Sequence, residues 1–391
     1  MSNKYESFSF TWHGDITSIS SAAQHARRVI RPLVEGGAHV RLQPLRVQRP
    51  QEKMSEWWDT TLKACTQAPP GLIHINATSP EAGVKNPTGG PTVLFTHWET
   101  SRPPRHWEQH MFSDKYNEIW VPTDGLAEQL LEAGTDKKVR VLPYALDRTY
   151  LKGQDKTVFH GVADDAFVFG YTGLWNNRKN ISDAIIAYFG EFSSVDNVAL
   201  VLKTNGSNPT DANERKKILN MIKEIKKSFN KHGHPPVVVL QDVFSQPAMD
   251  SIIRSFNCFL SSSRGEGRNI TMAKAMARGI PCIYTDTLAS KDMASKVNAM
   301  LGKDSPVLYP VGYTEEPVMQ MGNYYTAGDR WARPHCGDMM KAMREVYNNH
   351  FISPQTVAQK ELAATSRKLF DKNLLPALLK EAQPFAIQRL A

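Results

Sequence analysis

Residues 261–281 read Ser-Ser-Ser-Arg-Gly-Glu-Gly-Arg-Asn-Ile-Thr-Met-Ala-Lys-Ala-Met-Ala-Arg-Gly-Ile-Pro. The apolar run 257–260 before them predicts a buried strand, and the small apolar residues of 270–277 predict a helix that a glycine ends. The two glycines that flank Glu266 allow a ligand to approach the backbone of the turn closely. A strand, a glycine-rich turn and a helix in this order point backbone N–H groups and a positive dipole end at an anion. The stretch therefore predicts an anion site whose turn carries one carboxylate.

The same alternation of strand and helix runs through most of the chain. Strands are predicted at 8–12, 40–45, 71–75, 92–96, 118–122, 139–143, 167–171, 198–203, 237–241, 257–260 and 282–285, with helices between most of them. Strands separated by helices favour a parallel sheet covered on both faces. The pattern pauses at 147–166 and then restarts, which predicts two consecutive doubly wound domains. In such sheets ligands bind at the carboxyl ends of the strands.

The quoted stretch resembles the donor-site signature of GT-B glycosyltransferases, especially glycosyltransferase family 4. That signature is a Glu, seven residues and a second Glu, leading into Ala-Met-Ala-x-Gly-x-Pro. Glu266 matches the first position and Lys274 stands at the second. The resemblance implies an α/β GT-B fold, in which two Rossmann-like domains face a central cleft and C-terminal helices cross back to the first domain. We expect the first domain at 1–155 with about 370–391 packing back on it, and the donor domain at 156–369.

The resemblance also implies a reaction, in which a retaining, metal-independent transferase moves a sugar from a nucleotide-sugar to a hydroxyl. No cofactor is expected beyond the nucleotide-sugar co-substrate. Negative charge develops on the departing diphosphate, so the site needs fixed cations or N–H dipoles there. Lys179 matches the family's lysine in the turn 173–180, and Arg178 is the substitute for an arginine that the family often has at Leu174.

Glu266 has two acceptor oxygens, which suit a pair of sugar hydroxyls, although a carboxylate before a helix is also favourable to the dipole. The remaining donor-side candidates come from the loops that follow predicted strands and from the start of the helix. They are Gly14, Asp15, Gly173, Lys203, Arg264, Gly267, Asn269, Ile270, Thr271 and Lys274.

Lys274 departs from the family pattern, because an ammonium cannot accept hydrogen bonds from ribose hydroxyls as a carboxylate does. Three explanations stay open: a neighbour or the backbone holds the ribose, the nucleotide preference differs, or the chain binds donor without turnover.

Three candidates follow the strand 92–96: His97 as a catalytic residue, and Trp98 and Glu99 on the acceptor side. His97 resembles the histidine that many GT-B enzymes place beside the reacting sugar, where it orients or polarises the acceptor hydroxyl; a structural histidine is the alternative. Glu99 positions the acceptor or pairs with Arg102 or Arg105, which are themselves acceptor-side candidates.

The acceptor itself stays open. The chain has a net charge of +8, with basic stretches at 27–49 and 215–231. These are either solvated faces or surfaces that attract a polyanion or an anionic membrane. A lipid-linked glycan, as in lipopolysaccharide or exopolysaccharide synthesis, a hydroxymethylated base of viral or modified DNA, and a small molecule are all compatible acceptors. In the DNA alternative, residues 27–49, Arg102 and Arg105 contact phosphates. A non-catalytic nucleotide-sugar binder and a GT-B epimerase are the rivals outside this class.

Several other classes of protein have characteristic sequence features that this chain lacks. No Asp-x-Asp occurs, which disfavours a metal-dependent GT-A enzyme, and neither Gly-x-Gly-x-x-Gly nor a P-loop motif is present. No run of ~18 apolar residues predicts a transmembrane helix, and the first residues lack the apolar core of a signal peptide. Four cysteines without paired spacing favour free thiols. We therefore expect a protein of the bacterial or phage-infected cytoplasm, with peripheral attachment to a membrane or to DNA as an open possibility.

Overall fold

The structure, a computed structural model, describes residues 8–45, 54–143, 145–146, 155–319, 325–350 and 352–371. The chain divides into two compact units. Unit 1 comprises Met1–Trp98, Arg102–Asp147 and Phe370–Ala391, and unit 2 comprises Glu99–Ser101 and Arg148–Leu369. The main division thus lies at 147/148, at the start of the stretch where the strand pattern pauses. The pattern gave no sign that Glu99–Ser101 belong to unit 2.

Unit 1 is built on one parallel sheet of six strands. The strands are Ser9–Gly14 (β1), His39–Pro44 (β2), Ile73–Ala77 (β3), Thr92–Phe95 (β4), Glu118–Val121 (β5) and Lys138–Val141 (β6). They lie in the order β2-β1-β3-β4-β5-β6. The helices are Ser21–Glu35 (α1), Glu56–Gln67 (α2), Arg105–Met111 (α3) and Asp124–Glu132 (α4).

Helix α1 shows why the sequence folds in this way. Ser20 caps its N-terminus by accepting a hydrogen bond from the N–H of Ala23, and Gly36 follows its last residue. Its buried side chains at 26, 29, 30 and 33 recur at helical spacing and pack on the aromatic side chains of β1 and β4. Burial of this stripe against the sheet forms the core of unit 1.

Unit 2 repeats the arrangement. Its main sheet has the strands Phe167–Thr172 (β7), Val198–Lys203 (β8), Val237–Leu240 (β9), Cys258–Ser261 (β10), Cys282–Thr285 (β11) and Leu308–Val311 (β12). All are parallel, in the order β12-β11-β10-β7-β8-β9. Tyr313–Pro317 (β13) and Arg330–Pro334 (β14) pair as a separate antiparallel ribbon. The helices are Ile181–Glu191 (α5), Ala212–Ser228 (α6), Gln246–Arg254 (α7), Ile270–Met276 (α8), Leu288–Leu301 (α9), Cys336–Asn349 (α10) and Ser353–Leu369 (α11).

The core of unit 2 is rich in aromatic residues. The ring of Phe169 of β7 packs edge-on against Tyr188 in the last turn of α5 and at a tilt against Phe192 just after it, and all three are fully buried. This packing fixes α5 on the sheet. The turn between β7 and α5, which carries candidate site residues, is therefore held at both of its ends.

The end of the chain returns to unit 1 as far as the structure describes it. The carbonyl of Phe370 accepts a hydrogen bond of 2.9 Å from the N–H of Leu146. The helix predicted from about 376 to 389 lies outside the described residues.

Candidate active site

Two turns of unit 2 meet at the carboxyl ends of neighbouring strands. One follows β7 (residues 173–180) and the other follows β10 (residues 262–269). The N–H of Arg264 donates to the carbonyl of Arg178 at 2.8 Å, and the hydroxyl of Ser262 donates to the carbonyl of Asn180 at 2.8 Å. Because β7 and β10 are parallel neighbours, both turns open on the same edge of the sheet.

Cations and carboxylates converge where these turns meet. Lys179 Nζ lies 2.5 Å from Glu266 Oε1, and Arg178 Nη1 lies 3.3 Å from Glu266 Oε2. Arg178 also donates to the carbonyl of Gly265 at 2.7 Å. The fold therefore brings together Arg178, Lys179 and Glu266, which sequence reasoning had selected separately from two distant motifs.

Glu99 and Tyr325 complete this group. We call the five residues the cation–carboxylate cluster: Glu99, Arg178, Lys179, Glu266 and Tyr325. Glu99 Oε1 lies 3.8 Å from Arg178 Nη2. The Tyr325 hydroxyl donates a short hydrogen bond to Glu99 Oε2 and accepts one of 2.9 Å from the Glu99 N–H. Tyr325 was missed, because no local pattern marks a tyrosine that is 226 positions from its partner.

Glu99 contacts residues of unit 2 that the sequence pattern did not pair with it. Among the described residues its carboxylate contacts Arg178 and Tyr325 of unit 2, whereas Arg102 pairs with Glu108 at 2.7 Å. The backbone of Glu99 lies so close to the β10 turn that a Cβ on Gly265 would be 1.8 Å from its carbonyl oxygen. Only glycine fits at position 265. The glycine before Glu266 in the sequence motif is therefore explained by the close contact with the backbone of Glu99.

Burial and charge act against each other within the cluster. Burial would raise the pKa of Glu266, but the neighbouring Lys179 and Arg178 outweigh it and hold the pKa at about 2. Burial lowers the pKa of Lys179, and the attraction of Glu266 offsets only part of that effect. Burial also acts to lower the pKa of Arg178, yet the carboxylates of Glu99 and Glu266 raise it overall. Glu266 is therefore ionised at neutral pH and accepts hydrogen bonds from any neighbouring donor.

The start of α8 adjoins this cluster in sequence and carries several donor-side candidates. Asn269 has φ 36° and uses its amide internally, donating to Ser261 at 2.9 Å and Ser290 at 2.8 Å. Ile270 and Thr271 begin the helix, where first-turn N–H groups lack intrahelical acceptors. Thr271 Oγ1 lies 3.0 Å from the hydroxyl of Thr172 at the end of β7.

The other donor-side candidates of unit 2 lie around the same edge. Gly173 donates its N–H to the carbonyl of Lys203 at 3.1 Å, which joins the ends of β7 and β8. The ammonium of Lys203 lies 5.9 Å from the ring centre of Phe244, and burial lowers its pKa. Gly267 is buried within the β10 turn.

Arg264 has an internal role in the described part of the chain. Its Nη1 donates to the carbonyl of Asn177 at 2.8 Å, and its Nε lies 2.9 Å from Glu316 Oε1 of β13. Its guanidinium also lies over the ring of Trp331 of β14. Arg264 thus connects the two turns to the β13–β14 ribbon, so its side chain has a structural role beside the site.

Lys274 is also engaged within the protein. Its side chain is almost fully buried, and Nζ lies 2.8 Å from Asp250 Oδ1 and 3.3 Å from Gln246 Oε1, both on α7. The residue at the family's second Glu position therefore joins α8 to α7, which accounts for a lysine inside a helix of small residues.

The donor-side candidates of unit 1 lie in the loop after β1. Asp15 accepts hydrogen bonds from the N–H and hydroxyl of Ser18 and from the hydroxyl of Ser20 at 2.6 Å. It therefore organises the start of α1. Gly14 ends β1, and a Cβ there would lie 3.1 Å from the carbonyl oxygen of Ala77.

The acceptor-side candidates of unit 1 separate into different environments. Trp98 is fully buried and donates its indole N–H to Gln129 at 2.6 Å, so its predicted place on the acceptor surface is wrong and it is a core residue. His97 is half-buried just after β4, and Arg105 is exposed at the start of α3.

Two arginines of the basic stretch 27–49 form hydrogen bonds to backbone carbonyls inside unit 1. Arg27 is buried and donates to the carbonyls of Ile16 and Ser18, and Arg41 donates to the carbonyl of Ala68 at 2.5 Å. Arg31 pairs with Glu35. Arg46 and Arg49 lie outside the described residues. The predicted phosphate contacts of this stretch are therefore not available from Arg27 or Arg41.

Metal binding and membrane insertion are two further possibilities to consider for the described residues. Within the described ranges, no group of three or more His, Cys, Asp or Glu side chains is arranged to hold a metal ion. None of the helices in this part of the chain is both long and apolar enough to span a membrane.

Residues 166–307 match the family model described as "Glycosyl transferases group 1". The match includes Lys179 and Glu266 and ends before Tyr325. No curated protein sequence matches the chain significantly.

Solved structures resemble this chain in fold. Sucrose-phosphate synthase from Thermosynechococcus elongatus superposes with a TM-score of 0.64 at 10% identity, covering 96% of this chain and 98% of that one. WaaG, a glycosyltransferase involved in lipopolysaccharide biosynthesis, has a TM-score of 0.55 at 11% identity, with 95% and 98% covered. S. aureus TarM has a TM-score of 0.49 at 15% identity, and the match covers 81% of this chain but only 55% of TarM.

Proposed function

Because the chain has the GT-B fold and carries a group 1 glycosyltransferase domain at residues 166–307, we propose that this glycosyltransferase binds a nucleotide-sugar at the cation–carboxylate cluster. It transfers the sugar to a hydroxyl with retention of anomeric configuration and without a metal. The observation that carries the proposal is the contact of Lys179 and Arg178 with Glu266 at the carboxyl ends of β7 and β10.

The chemistry needs both signs of charge at this place. When the bond between the sugar carbon and the diphosphate oxygen breaks, the electron pair stays on the diphosphate, and Lys179 and Arg178 are the fixed cations that stabilise it. Glu266 stays ionised beside them and accepts hydrogen bonds from sugar hydroxyls. In a retaining transfer, the acceptor oxygen bonds to the same face of the sugar carbon. Its proton passes to the departing phosphate oxygen.

Glu99 and Tyr325 position this machinery. The guanidinium of Arg178 has five N–H donors, and Glu99 and Glu266 approach different nitrogens of it. With two carboxylates around it, the planar group has a defined orientation before a donor arrives, which lowers the cost of ordering it at the phosphate. The proposal gives Lys274 no ribose contact, since Asp250 and Gln246 engage its ammonium.

The test is a panel of nucleotide-sugars with mass-spectrometric detection of products on glycolipid acceptors and on hydroxymethylated duplex DNA. We expect turnover that Glu266→Ala and Lys179→Ala each abolish, while Glu191→Gln, a charged-pair variant on α5, keeps it. Retention is read from the anomeric proton of the product, and metal independence from unchanged rates in excess chelator.

Three results would overturn parts of this proposal. Donor binding without turnover on any acceptor would favour the non-catalytic binder, and donor interconversion without an acceptor would favour an epimerase. An inverted product would exclude retention. Among the three acceptor classes, the DNA alternative is left without phosphate contacts from Arg27 and Arg41, because both donate to backbone carbonyls within unit 1.

A further inference from the structure

Helix α6 turns a dense row of lysines away from the core of unit 2. Ile218 and Ile222 are its buried residues. At 3.6 residues per turn, the opposite side of the helix carries most of its lysines. The exposed lysines, which we call the lysine face, are Lys216, Lys217, Lys223, Lys226 and Lys227.

The remaining cations of this basic stretch have structural roles. Arg215 donates to the carbonyl of Pro209 at 2.9 Å and pairs with Asp242 at 3.0 Å. Lys231 donates to three carbonyls at the end of α5, the shortest at 2.6 Å to Phe189. These two residues hold α6 and its following loop in place, whereas the lysine face points outward.

The lysine face has little acidic compensation and contains an exposed apolar side chain. Glu224 is the acid among the exposed residues of the helix, and it pairs with Lys227 at 2.7 Å. Leu219 lies on this face and is 40% exposed. Lys216, Leu219, Lys223 and Lys226 follow one another at spacings of three and four, so one apolar side chain lies within a stripe of cations.

We propose that the lysine face docks this protein on an anionic lipid bilayer. Lysines near such a surface are attracted by its negative potential, and apolar side chains among them enter the headgroup region. A nucleic acid is the less suitable partner, because the exposed residues of α6 include no arginine or aromatic side chain for base contacts or stacking. Leu219 would gain nothing from a phosphate backbone.

The test is co-sedimentation of the full chain with phosphatidylglycerol-containing vesicles and with pure phosphatidylcholine vesicles. We expect selective binding to the anionic vesicles that weakens with salt. Each lysine contributes roughly fivefold, so Lys216→Gln, Lys223→Gln and Lys226→Gln together reduce partitioning by on the order of 100-fold. The matched control replaces three exposed lysines of α10 and α11, Lys341, Lys360 and Lys368, by glutamine.

Equal loss in the control triple would show that net charge alone drives binding, and equal binding to both vesicle types would show that there is no anionic docking; either overturns the proposal. Duplex DNA is the third arm. If the lysine triple loses DNA binding and the wild type prefers DNA to vesicles at equal salt, the surface is a nucleic-acid site and the proposal fails. Replacing Leu219 by serine should weaken vesicle binding and leave any DNA binding unchanged.

This inference does not depend on the proposed reaction. The variant Glu266→Gln should bind vesicles like the wild type even where its turnover is lost, so the two proposals can fail separately. If docking is found, it favours a lipid-linked acceptor over DNA.

Discussion

Replacing Glu266 by glutamine tests the central charge arrangement most directly. The change keeps the shape of the side chain and removes its charge. The two cations hold the pKa of Glu266 at about 2 against an ordinary value of 4.5. A fall of about 2.5 at ~1.4 kcal/mol per pKa unit means that the ionised form contributes on the order of 3 kcal/mol to unit 2. For a unit of this size, that corresponds to a melting temperature lower by about 6–12 °C.

The sign of the pH dependence follows from the lowered pKa. The contribution of Glu266 is complete above pH 4.5 and is lost as the pH falls through the native value near 2. The difference in melting temperature between wild type and variant should therefore be largest at pH 7 and shrink between pH 4.5 and 2. Differential scanning calorimetry across this range measures it.

The same variant should lose activity for a second reason. Hydrogen bonds to a charged group are worth roughly 1.5–3 kcal/mol, so kcat/KM should fall by about 10- to 100-fold. Glu191→Gln is the control, since Glu191 pairs with Arg344 at 2.7 Å in the same unit without contacting the cluster. If Glu266→Gln matches the wild type in both melting temperature and kcat/KM, the reasoning is refuted.

Three further changes test other parts of the structure. Gly265→Ala places a methyl group 1.8 Å from the carbonyl oxygen of Glu99, so both the melting temperature and kcat/KM should fall while circular dichroism stays native; an unchanged enzyme would contradict the close approach. Lys274→Met removes the ammonium that pairs with the half-buried carboxylate of Asp250, at a cost of about 1–3 kcal/mol in urea unfolding, and adding Asp250→Asn should restore most of it. Burial and the nearby His74 lower the pKa of His13 to about 4, so the unfolded chain binds a proton first and unit 1 should lose stability as the pH falls from 6.5 to 4. In calorimetry, the melting temperature of His13→Asn should fall less steeply with falling pH than that of the wild type. An equally steep fall would contradict the lowered pKa of His13.

The sheets were largely predictable because their strands are short apolar runs between turn residues, a pattern that is local. Some of the elements that were missed lack such a pattern or depend on distant partners. Strand β13 reads Tyr-Thr-Glu-Glu-Pro and is mostly exposed, so it forms only because β14 pairs with it. Helix α9 did carry a signal, since Ala289, Met293 and Val297 recur every four residues and are buried.

The candidate site was predictable to a lesser extent. Lys179 and Glu266 were found because each lies in a turn with a recognisable order of residues. The contact of Glu99 with Arg178 could not be found in this way, since it joins segments that no repeat or spacing connects. Trp98 was misplaced for the opposite reason, because a residue after a strand can point into the core as well as toward a ligand.

The assignment of Glu99–Ser101 to unit 2 has a practical meaning for anyone who dissects this protein. A fragment cut near residue 148 would keep Arg178 and Tyr325 but would lose the carboxylate that each of them contacts. Ligand affinities measured on such a fragment would describe a site in which Arg178 lacks its contact with Glu99. A short linker that restores the missing tripeptide would be the minimal repair.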